Sequence, residues 1–292
     1  MPEKQPIPVV IRSHNDLAYL KETIAMVLTQ SIKAEVHVFD NDSTDGSVEY
    51  LATEPVHVHR VPEGTYIPGA VLNRAMRTAD PKSEFVVFLN SDCTPLDDQW
   101  LEELLAAFCR SEIAAVFGRQ LPRPDCKALF AKDTEDTFGN GERQQYWKHC
   151  FSMASSAIRR SVWEGMPFRE DITYSEDIDW TWRARQNGHA LAYAKNSQVY
   201  HSHNYTLAQF AKRHTGEGRA EARIFTWSTW EKSWLRYSLL PLLRQIKSDY
   251  FYALRTGRLS LLVRSPLLRT AQMVGRRKGF LQGLREGENH VR

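Results

Sequence analysis

The amino-acid sequence predicts an α/β fold with a mostly parallel central sheet, flanked by helices and followed by a helical C-terminal extension. Over the first ~90 residues, short apolar runs alternate with segments of helical periodicity, as in doubly wound sheets. From about residue 207 onward the chain is helical and basic. We therefore expect a domain over residues 1–206 and a basic amphipathic helical extension over residues 207–292.

The strands of this sheet are predicted from apolar runs that end in polar residues. The first four lie at Ile7–Ile11, Ala34–Phe39, Val56–Val61 and Phe85–Asn90. Helical spacing and capping residues predict helices that begin near Leu17, Val48 and Ala70. Pro95 should stop the fourth strand, because proline cannot continue a central ladder. Further along we expect a helix over Gln99–Phe108, a strand over Ala114–Gly118, an irregular segment over 119–150, a strand within Phe151–Ile158, a helix over Asp179–Gln186 and strands at Ala190–Ala194 and Gln198–His201.

The composition is that of an ordinary globular protein, with 42% hydrophobic and 25% charged residues among 292. Its four cysteines lie far apart and form no C-x-x-C pair, which argues against a zinc knuckle or a disulfide framework. The N-terminus lacks a signal pattern, and no apolar run approaches the ~18–20 residues that span a bilayer. We expect a cytoplasmic protein.

The charge is distributed unevenly along the chain. Residues 222–292 hold 14 Lys and Arg against 4 Asp and Glu, whereas the rest is acidic. Such a tail predicts an anionic partner, and no base-reading module accompanies it, so we expect no nucleic-acid binding. Two interpretations stay open. The helices pack on the body with a solvated basic face, or they form a peripheral contact with anionic lipid at the inner membrane face.

Carboxylates and histidines gather where predicted strands end and where one helix begins. The clusters lie at 40–45, 90–92, 175–179 and 201–204. Open α/β sheets place their ligands at the carboxyl ends of strands. Asp92 together with a histidine would give a mixed oxygen and nitrogen site suited to Mn²⁺ or Mg²⁺. For other members of the clusters, namely Asp42, Asp45 and Asp179, we expect turn, capping and structural roles rather than ligand roles.

These clusters resemble the successive signatures of family 2 glycosyltransferases with the GT-A fold. The matching stretches are Ile7–Asn15, Val38–Ser47, Phe88–Asp92 and Glu176–Asp177, in the family's order and at its spacing. The closing Val199–Tyr205, followed by a basic helical tail, resembles bacterial rhamnosyltransferase-type members. The resemblance implies inverting, metal-dependent transfer of a sugar from a dTDP- or UDP-sugar. The acceptor would be a hydroxyl of a glycan or lipid-linked molecule in cell-surface polysaccharide assembly.

The resemblance also implies roles for individual residues. Asp177 would be the catalytic base, with Glu176 as its acceptor-side neighbour that raises its pKa. Asp92 would bind Mn²⁺ or Mg²⁺, with His201 or His203 as a further ligand. The nucleotide-binding residues would be Arg12, Ser13, Asp40, Asn73, Asn90 and Ser91.

Two positions depart from the family pattern. Asn90 replaces the usual Asp, which removes one negative charge from the metal region. Leu72 stands where many members carry an arginine, so that a nucleotide contact is missing or is supplied by Arg74 or Arg12. These departures leave open a non-catalytic nucleotide-sugar or glycan-binding protein of the same fold. A dinucleotide oxidoreductase is disfavoured, because no G-x-G-x-x-G follows the first strand.

Overall fold

A central mixed sheet is the main feature of the structure, a computed structural model that describes residues 5–141 and 148–289. Within these residues the strands are β1 (Ile7–Ser13), β2 (Ala34–Asp40), β3 (His57–Arg60), β4 (Phe85–Asn90), β5 (Thr94–Pro95), β6 (Ile113–Leu121), β7 (Ser155–Arg159) and β8 (Ala190–Tyr200). They form one sheet in the order β3-β2-β1-β4-β7-β6-β8-β5. Strands β1 to β4 are parallel, whereas β7 runs antiparallel between β4 and β6. The predicted mostly parallel sheet is confirmed.

Helices cover both faces of the sheet. Those in the first 200 residues are α1 (Leu17–Leu28), α2 (Ser47–Leu51), α3 (Pro68–Thr78), α4 (Trp100–Ala106), α5 (Ala128–Thr137), α6 (Arg160–Gly165) and α7 (Glu176–Gln186). Alternate residues of β1 point to opposite faces, since Val9 and Ile11 pack with α1 and α4 while Val10 packs with α3 and α7. Because both faces are buried, the strands are continuous apolar runs.

Three elements differ from the sequence prediction. Pro95 does not simply end β4, because Thr94–Pro95 forms a short antiparallel edge strand beside Val199–Tyr200. An edge strand tolerates proline, which has no N–H to donate. The segment 119–150, expected to be irregular, contains α5. The two predicted strands near residues 190 and 198 are one strand, β8, with an irregularity opposite Gly118 and Arg119.

The chain divides into two compact units. The sheet unit runs to Pro124 and continues through Thr134–Asp171 and Glu176–Ser202. The helical unit contains Asp125–Asp133, Ile172–Ser175 and the chain from His203 onward. Its helices are α8 (Leu207–Ile224), α9 (Thr229–Lys232), α10 (Leu240–Thr256), which a π-helical turn at Leu235–Leu239 precedes, and α11 (Leu261–Asn289). The predicted helical C-terminal extension is confirmed.

Close backbone approach and buried ion pairs hold the helical unit together. A Cβ atom on Gly279 of α11 would lie 1.9 Å from the carbonyl oxygen of Thr215 in α8, so only glycine fits this crossing. Asp249 of α10 is fully buried and accepts hydrogen bonds from Arg269 and Ser265 of α11. Among the helices within the described residues, none has the length and apolarity needed to cross a membrane.

Candidate active site

Two loops at the carboxyl edge of the sheet are joined by reciprocal hydrogen bonds. Asn15, which follows β1, accepts a hydrogen bond from the Thr44 amide at 2.8 Å and donates its own amide to Ser43 Oγ at 2.9 Å. Asp45 accepts a hydrogen bond from the amide of Leu17 at 2.8 Å and so caps α1. Asn15 and Asp42 have left-handed backbone conformations, with φ of 54° and 55°. Strained conformations of this kind persist where the surroundings fix them, often at functional sites.

Asp40 lies at this edge, at the end of β2. Its carboxylate accepts hydrogen bonds from the Ser43 amide at 2.9 Å and from Ser43 Oγ at 2.6 Å. A cleft of about 250 Å³ opens beside Asp40, with Val48, Val58 and Arg60 among its lining residues. On the adjacent strand Ser13 pairs with Asp40 in the parallel ladder, and its buried hydroxyl finds no hydrogen-bond partner among the described residues. Most of the lining is polar or charged, with Val48 and Val58 as its apolar contacts and Asp40 as a fixed acceptor.

Arg12 connects the end of β4 with the start of α7. Its guanidinium donates to Asn90 Oδ1 at 2.8 Å and to Glu176 Oε1 at 3.1 Å. Asp92 follows Asn90 by two residues, and Asp177 follows Glu176 directly. The structure thus brings together two clusters that lie more than 80 positions apart in the sequence.

The carboxylates of Glu176 and Asp177 are held in a buried environment. Asp177 accepts backbone hydrogen bonds from Met153 at 2.9 Å and from Ile178 at 2.8 Å. Burial raises the pKa of Asp177 even though these bonds and the charge of Arg12 oppose the change. Burial and then the charge of Asp177 raise the pKa of Glu176, against the effect of Arg12. The predicted direction for Asp177 is confirmed, but its main cause is burial rather than the charge of Glu176.

Asp92 and His201 form a pair with the chemistry of a divalent-cation site. His201 Nε2 lies 3.5 Å from Asp92 Oδ2. His201 Nδ1 lies 2.6 Å from Gln120 Oε1, and the amide nitrogen of Gln120 donates to Ser152 Oγ at 2.9 Å. Since Gln120 Oε1 can only accept, this geometry assigns the proton to Nδ1 and leaves the Nε2 lone pair facing the carboxylate. The residues therefore fit Mn²⁺ or Mg²⁺.

The neighbouring Cys93 is a poor candidate for a third ligand. Its sulfur lies near both Asp92 and His201. Burial, followed by the charge of Asp92, raises the pKa of this thiol well above its ordinary value. A thiol that stays protonated does not bind a hard cation.

Arg123 supports the Asp92 segment and was not among the residues singled out in the sequence. It donates to the backbone carbonyl of Asp92 at 3.0 Å and to Thr94 Oγ1 at 2.9 Å, and its guanidinium lies over the ring of Tyr19. Like Gln120, it is an ordinary polar residue whose role depends on distant neighbours. Gln120 gave no signal in the sequence, since the predicted strand ended at Gly118 and residues 119–150 were expected to be irregular.

Some expected nucleotide-binding residues bond to the protein itself. The Asn73 amide group donates to Phe168 O and Glu170 Oε1 and accepts from Trp163 Nε1 and Phe168 N, all at 2.9 Å. Ser91 is buried and donates to Asp16 Oδ2 at 2.9 Å. These bonds use the hydrogen-bonding capacity of Asn73 fully, which favours a structural role for it.

The structure also shows the surroundings of Leu72, the position where many family members carry an arginine. Leu72 is fully buried in the core. Arg74 donates to the carbonyl oxygen of Arg60 at 2.9 Å and lies over the ring of Phe39. Arg12, by contrast, sits between the two acidic clusters. Of the two possible replacements, Arg12 is therefore the one that the structure places beside the carboxylates.

The remaining polar residues take local roles. Asp179 bonds to Arg183 at 2.8 Å and is buried, as a structural residue of α7 would be. Asp42 pairs with Arg60. His203 belongs to the helical unit, where its ring lies 5.3 Å from that of Tyr205. The 3.5 Å approach of His201 to Asp92 makes His201 a candidate ligand.

Comparison with known sequences identifies the family. The sequence model of Glycosyl transferase family 2 matches residues 9–165, more than half of the chain. The chain belongs to this family. It is 30% identical over 199 residues to the O-antigen chain rhamnosyltransferase WbaN of Salmonella anatum, an alignment that covers 63% of this chain and 62% of WbaN. It is 26% identical over 229 residues to the O-antigen chain rhamnosyltransferase RfbN of Salmonella typhimurium, covering 73% of this chain and 71% of RfbN.

Solved structures of other glycosyltransferases share the fold of this family 2 member. The mannosyltransferase PcManGT from Pyrobaculum calidifontis, in complex with GDP-Man and Mn²⁺, superposes with a TM-score of 0.65 at 16% identity, covering 97% of this chain and 89% of that one. Glucosyl-3-phosphoglycerate synthase from Mycobacterium tuberculosis, in complex with Mn²⁺, UDP and phosphoglyceric acid, gives a TM-score of 0.56 at 18% identity, covering 77% and 81%. At such identities the likeness bears on the fold, and the predicted GT-A fold is confirmed.

Proposed function

We propose that the protein is an inverting, metal-dependent glycosyltransferase that moves a sugar from a nucleoside-diphosphate donor to an acceptor hydroxyl. One observation carries the proposal. Arg12 bonds to both Asn90 and Glu176, and so joins the strand end that leads to Asp92 with the helix start that holds Asp177. A carboxylate and histidine pair that could hold a cation, and a carboxylate that could act as a base, would supply the two groups that this reaction requires.

Asp177 would act as the base. As the acceptor oxygen forms its bond to the anomeric carbon, the bond from that carbon to the diphosphate oxygen breaks, and the hydroxyl proton passes to Asp177. A single displacement of this kind inverts the anomeric centre. The raised pKa of Asp177 supports this role, because a more basic carboxylate accepts the proton more readily. Glu176 would hold Arg12 beside it.

Asp92 and His201 would hold Mn²⁺ or Mg²⁺, which supplies positive charge to the leaving diphosphate when bound. Gln120 would keep His201 in the tautomer that presents Nε2. Two of the related solved structures contain Mn²⁺, which supports the choice of a divalent cation. Arg12 would place a second positive charge near the nucleotide-sugar donor. Asn90 is neutral, so part of the charge of Arg12 remains uncompensated.

The cleft beside Asp40 would take the nucleotide. Asp40 and Ser13 offer an acceptor and a donor at adjacent strand ends, and Val48 and Val58 offer apolar contact to a base. A dTDP- or UDP-sugar is the donor we propose. We assign the transfer to residues 1–206 and treat residues 207–292 as an extension.

The acceptor would be a glycan or lipid-linked molecule of cell-surface polysaccharide assembly. The likeness to two O-antigen chain rhamnosyltransferases supports this class and a deoxyhexose donor. A lipid-linked acceptor would also bring a cytoplasmic enzyme to the inner membrane face, where the basic segment 222–292 would meet anionic lipid.

A donor screen tests the proposal. Purified protein is incubated with dTDP- and UDP-sugars, with Mn²⁺ or with EDTA, and release of the nucleoside diphosphate is measured. We expect turnover of at least one donor that EDTA abolishes and Mn²⁺ restores. Full turnover in EDTA would remove the cation from the mechanism. Donor binding by calorimetry without any turnover, in the presence of glycan acceptors, would favour the non-catalytic alternative.

A further inference from the structure

Helix α10 presents an apolar stripe to the solvent. Leu240, Leu243, Phe251 and Leu254 are exposed on it, Phe251 by 70% and Leu254 by 66%. At ~100° per residue these four positions lie within roughly 80° of one another around the helix axis. Single exposed apolar residues are common, whereas several aligned on one helix mark an interaction surface.

Cations accompany this stripe, and acids do not. Lys247 falls within the same sector of α10, and Arg244 and Arg255 lie along its edge, all three exposed. The only acidic residue of α10 is Asp249, which is fully buried against Arg269. We call these seven exposed residues, from Leu240 to Arg255, the α10 face. It carries three positive charges and no carboxylate.

Two exposed tryptophans precede α10 along the chain. Trp230 and Trp234 are exposed by 59% and 60%. Trp234 directly precedes the π-helical turn that continues into α10. Tryptophan favours the boundary between water and lipid, because its ring is apolar and its N–H is polar.

We propose that the α10 face, together with Trp230 and Trp234, lies on the surface of an anionic lipid bilayer. Its apolar side chains enter the boundary between headgroups and acyl chains, while Arg244, Lys247 and Arg255 remain with the lipid phosphates. Charge selects this occupant over a second copy of the chain, since two such faces would oppose six cations without a counter-charge. The inference rests on the proposed function only where the contact is taken to bring the enzyme to a lipid-linked acceptor. Lipid binding itself needs neither the sugar donor nor the sugar acceptor.

Vesicle binding by the full-length protein tests this inference. Sedimentation is measured with vesicles of phosphatidylcholine alone and of phosphatidylcholine with phosphatidylglycerol. We expect the wild type to bind only the anionic vesicles. Phe251→Ser with Leu254→Ser should weaken this binding at least about tenfold. Arg244→Gln, Lys247→Gln and Arg255→Gln together should remove the preference for phosphatidylglycerol.

Leu28→Ser is the matched control, because Leu28 is an exposed leucine at the end of α1 in the sheet unit. It should bind vesicles as the wild type does. Equal binding by the wild type and the Phe251→Ser, Leu254→Ser variant, or no binding by either, would overturn the inference. So would a wild-type dimer in sedimentation velocity that this variant abolishes, since the face would then be a protein interface. Thermal unfolding monitored by circular dichroism establishes that the variants are folded, and nucleotide-sugar turnover plays no part in any readout.

Discussion

The sheet unit and the helical unit both contain buried carboxylates whose pKa values shift in opposite directions. In the sheet unit burial outweighs the neighbouring cation, and the pKa values of Glu176 and Asp177 are raised. In the helical unit burial alone would raise the pKa of Asp249, but Arg269, Ser265 and Lys132 lower it. Burial is likewise outweighed at Glu217, where the hydrogen bond with His214 and the charge of Arg213 lower the pKa to about 2.

This difference separates structural charge from reactive charge. A carboxylate paired with arginine stays ionised and is a weak base, so it does not take up a proton in a reaction. It contributes instead by fixing the packing of helices. A carboxylate that is buried with too little compensation stores unfavourable free energy, which it releases when it takes up a proton. On this basis Glu176 and Asp177 are the candidates for a reactive role, whereas Asp249 and Glu217 hold the fold of the helical unit.

The largest expected effect comes from removing the base. Asp177→Asn should lower kcat by about 10³-fold or more, because no carboxylate is left to accept the proton. The free energy of unfolding should change little, since removal of a poorly compensated charge is offset by the loss of one of the two backbone hydrogen bonds to Asp177. Steady-state kinetics and urea titration measure the two quantities.

Asp179→Asn provides the control for Asp177→Asn within the same helix. Asp179 is buried and bonded to Arg183 at 2.8 Å, so its loss should reduce stability with little change in kcat. If Asp179→Asn lost activity as Asp177→Asn does while remaining stable, the distinction between the two roles would collapse.

Breaking the buried ion pair of the helical unit comes next. Asp249→Ala should lower the free energy of unfolding by about 3–5 kcal/mol, because Arg269 loses its fully buried partner. Glu286→Ala removes a more exposed pair, with Arg219, and should cost under about 1 kcal/mol. Denaturant titration measures the loss of unfolding free energy in both variants. Equal losses would show that burial does not determine how much these ion pairs stabilise the protein.

Close packing in the helical unit can be tested at a single atom. Gly279→Ala would place a Cβ atom 1.9 Å from the Thr215 carbonyl oxygen and should cost about 1–3 kcal/mol as α8 and α11 separate. Gly287 lies in the same helix with no atom within 4 Å of such a Cβ. Gly287→Ala should therefore be neutral or slightly stabilising in thermal unfolding. A neutral Gly279→Ala would mean that the helices are not held at this distance.

The last expected effect is a change of stability with pH, opposite in sign for two carboxylates. The pKa of Glu217 is depressed from its ordinary 4.5 to about 2, so its contribution to stability is present above pH 4.5 and is lost as the pH falls towards 2. The pKa of Glu176 is raised, so stability associated with it is present below its ordinary value and is lost as the pH rises through its folded-state value. At pH 7 Glu217→Gln should cost about 2–3 kcal/mol, a cost that disappears near pH 2.

Glu176→Gln should behave in the reverse sense, gaining stability relative to the wild type as the pH rises. Unfolding free energies from pH 2 to 8 for both variants give the two slopes. Slopes of the same sign would contradict the contrast drawn between the two units.

Much of the sheet unit follows from local sequence pattern. The strands at Ile7, Ala34 and Phe85 were predictable because apolar runs bounded by polar residues leave few alternatives in a fold covered on both faces. The polar ends of these strands could be expected to converge, because parallel strands share an edge. The position of Asp92 beside a histidine was therefore accessible before any coordinates.

Contacts that depend on tertiary neighbours were not accessible. Gln120 orients His201 only because β6 and β8 are adjacent, and nothing in its local sequence states this. Asn73 looked available for a ligand, yet its amide group is occupied by the segment around Phe168. The helix α5 was missed because flanking prolines and glycines in 119–150 indicate a loop.

The short strand β5 sets the distance between the proposed metal ligands through the main chain. Thr94 pairs with Tyr200 and Pro95 with Val199. Asp92 lies two positions before Thr94, and His201 follows directly after Tyr200. A ladder can slip only in whole residues, and a slip of one places a side chain on the opposite face. The spacing of Asp92 and His201 can therefore change only in steps of a whole residue. A substitution in the neighbouring side chains leaves this spacing unchanged as long as the ladder keeps its register.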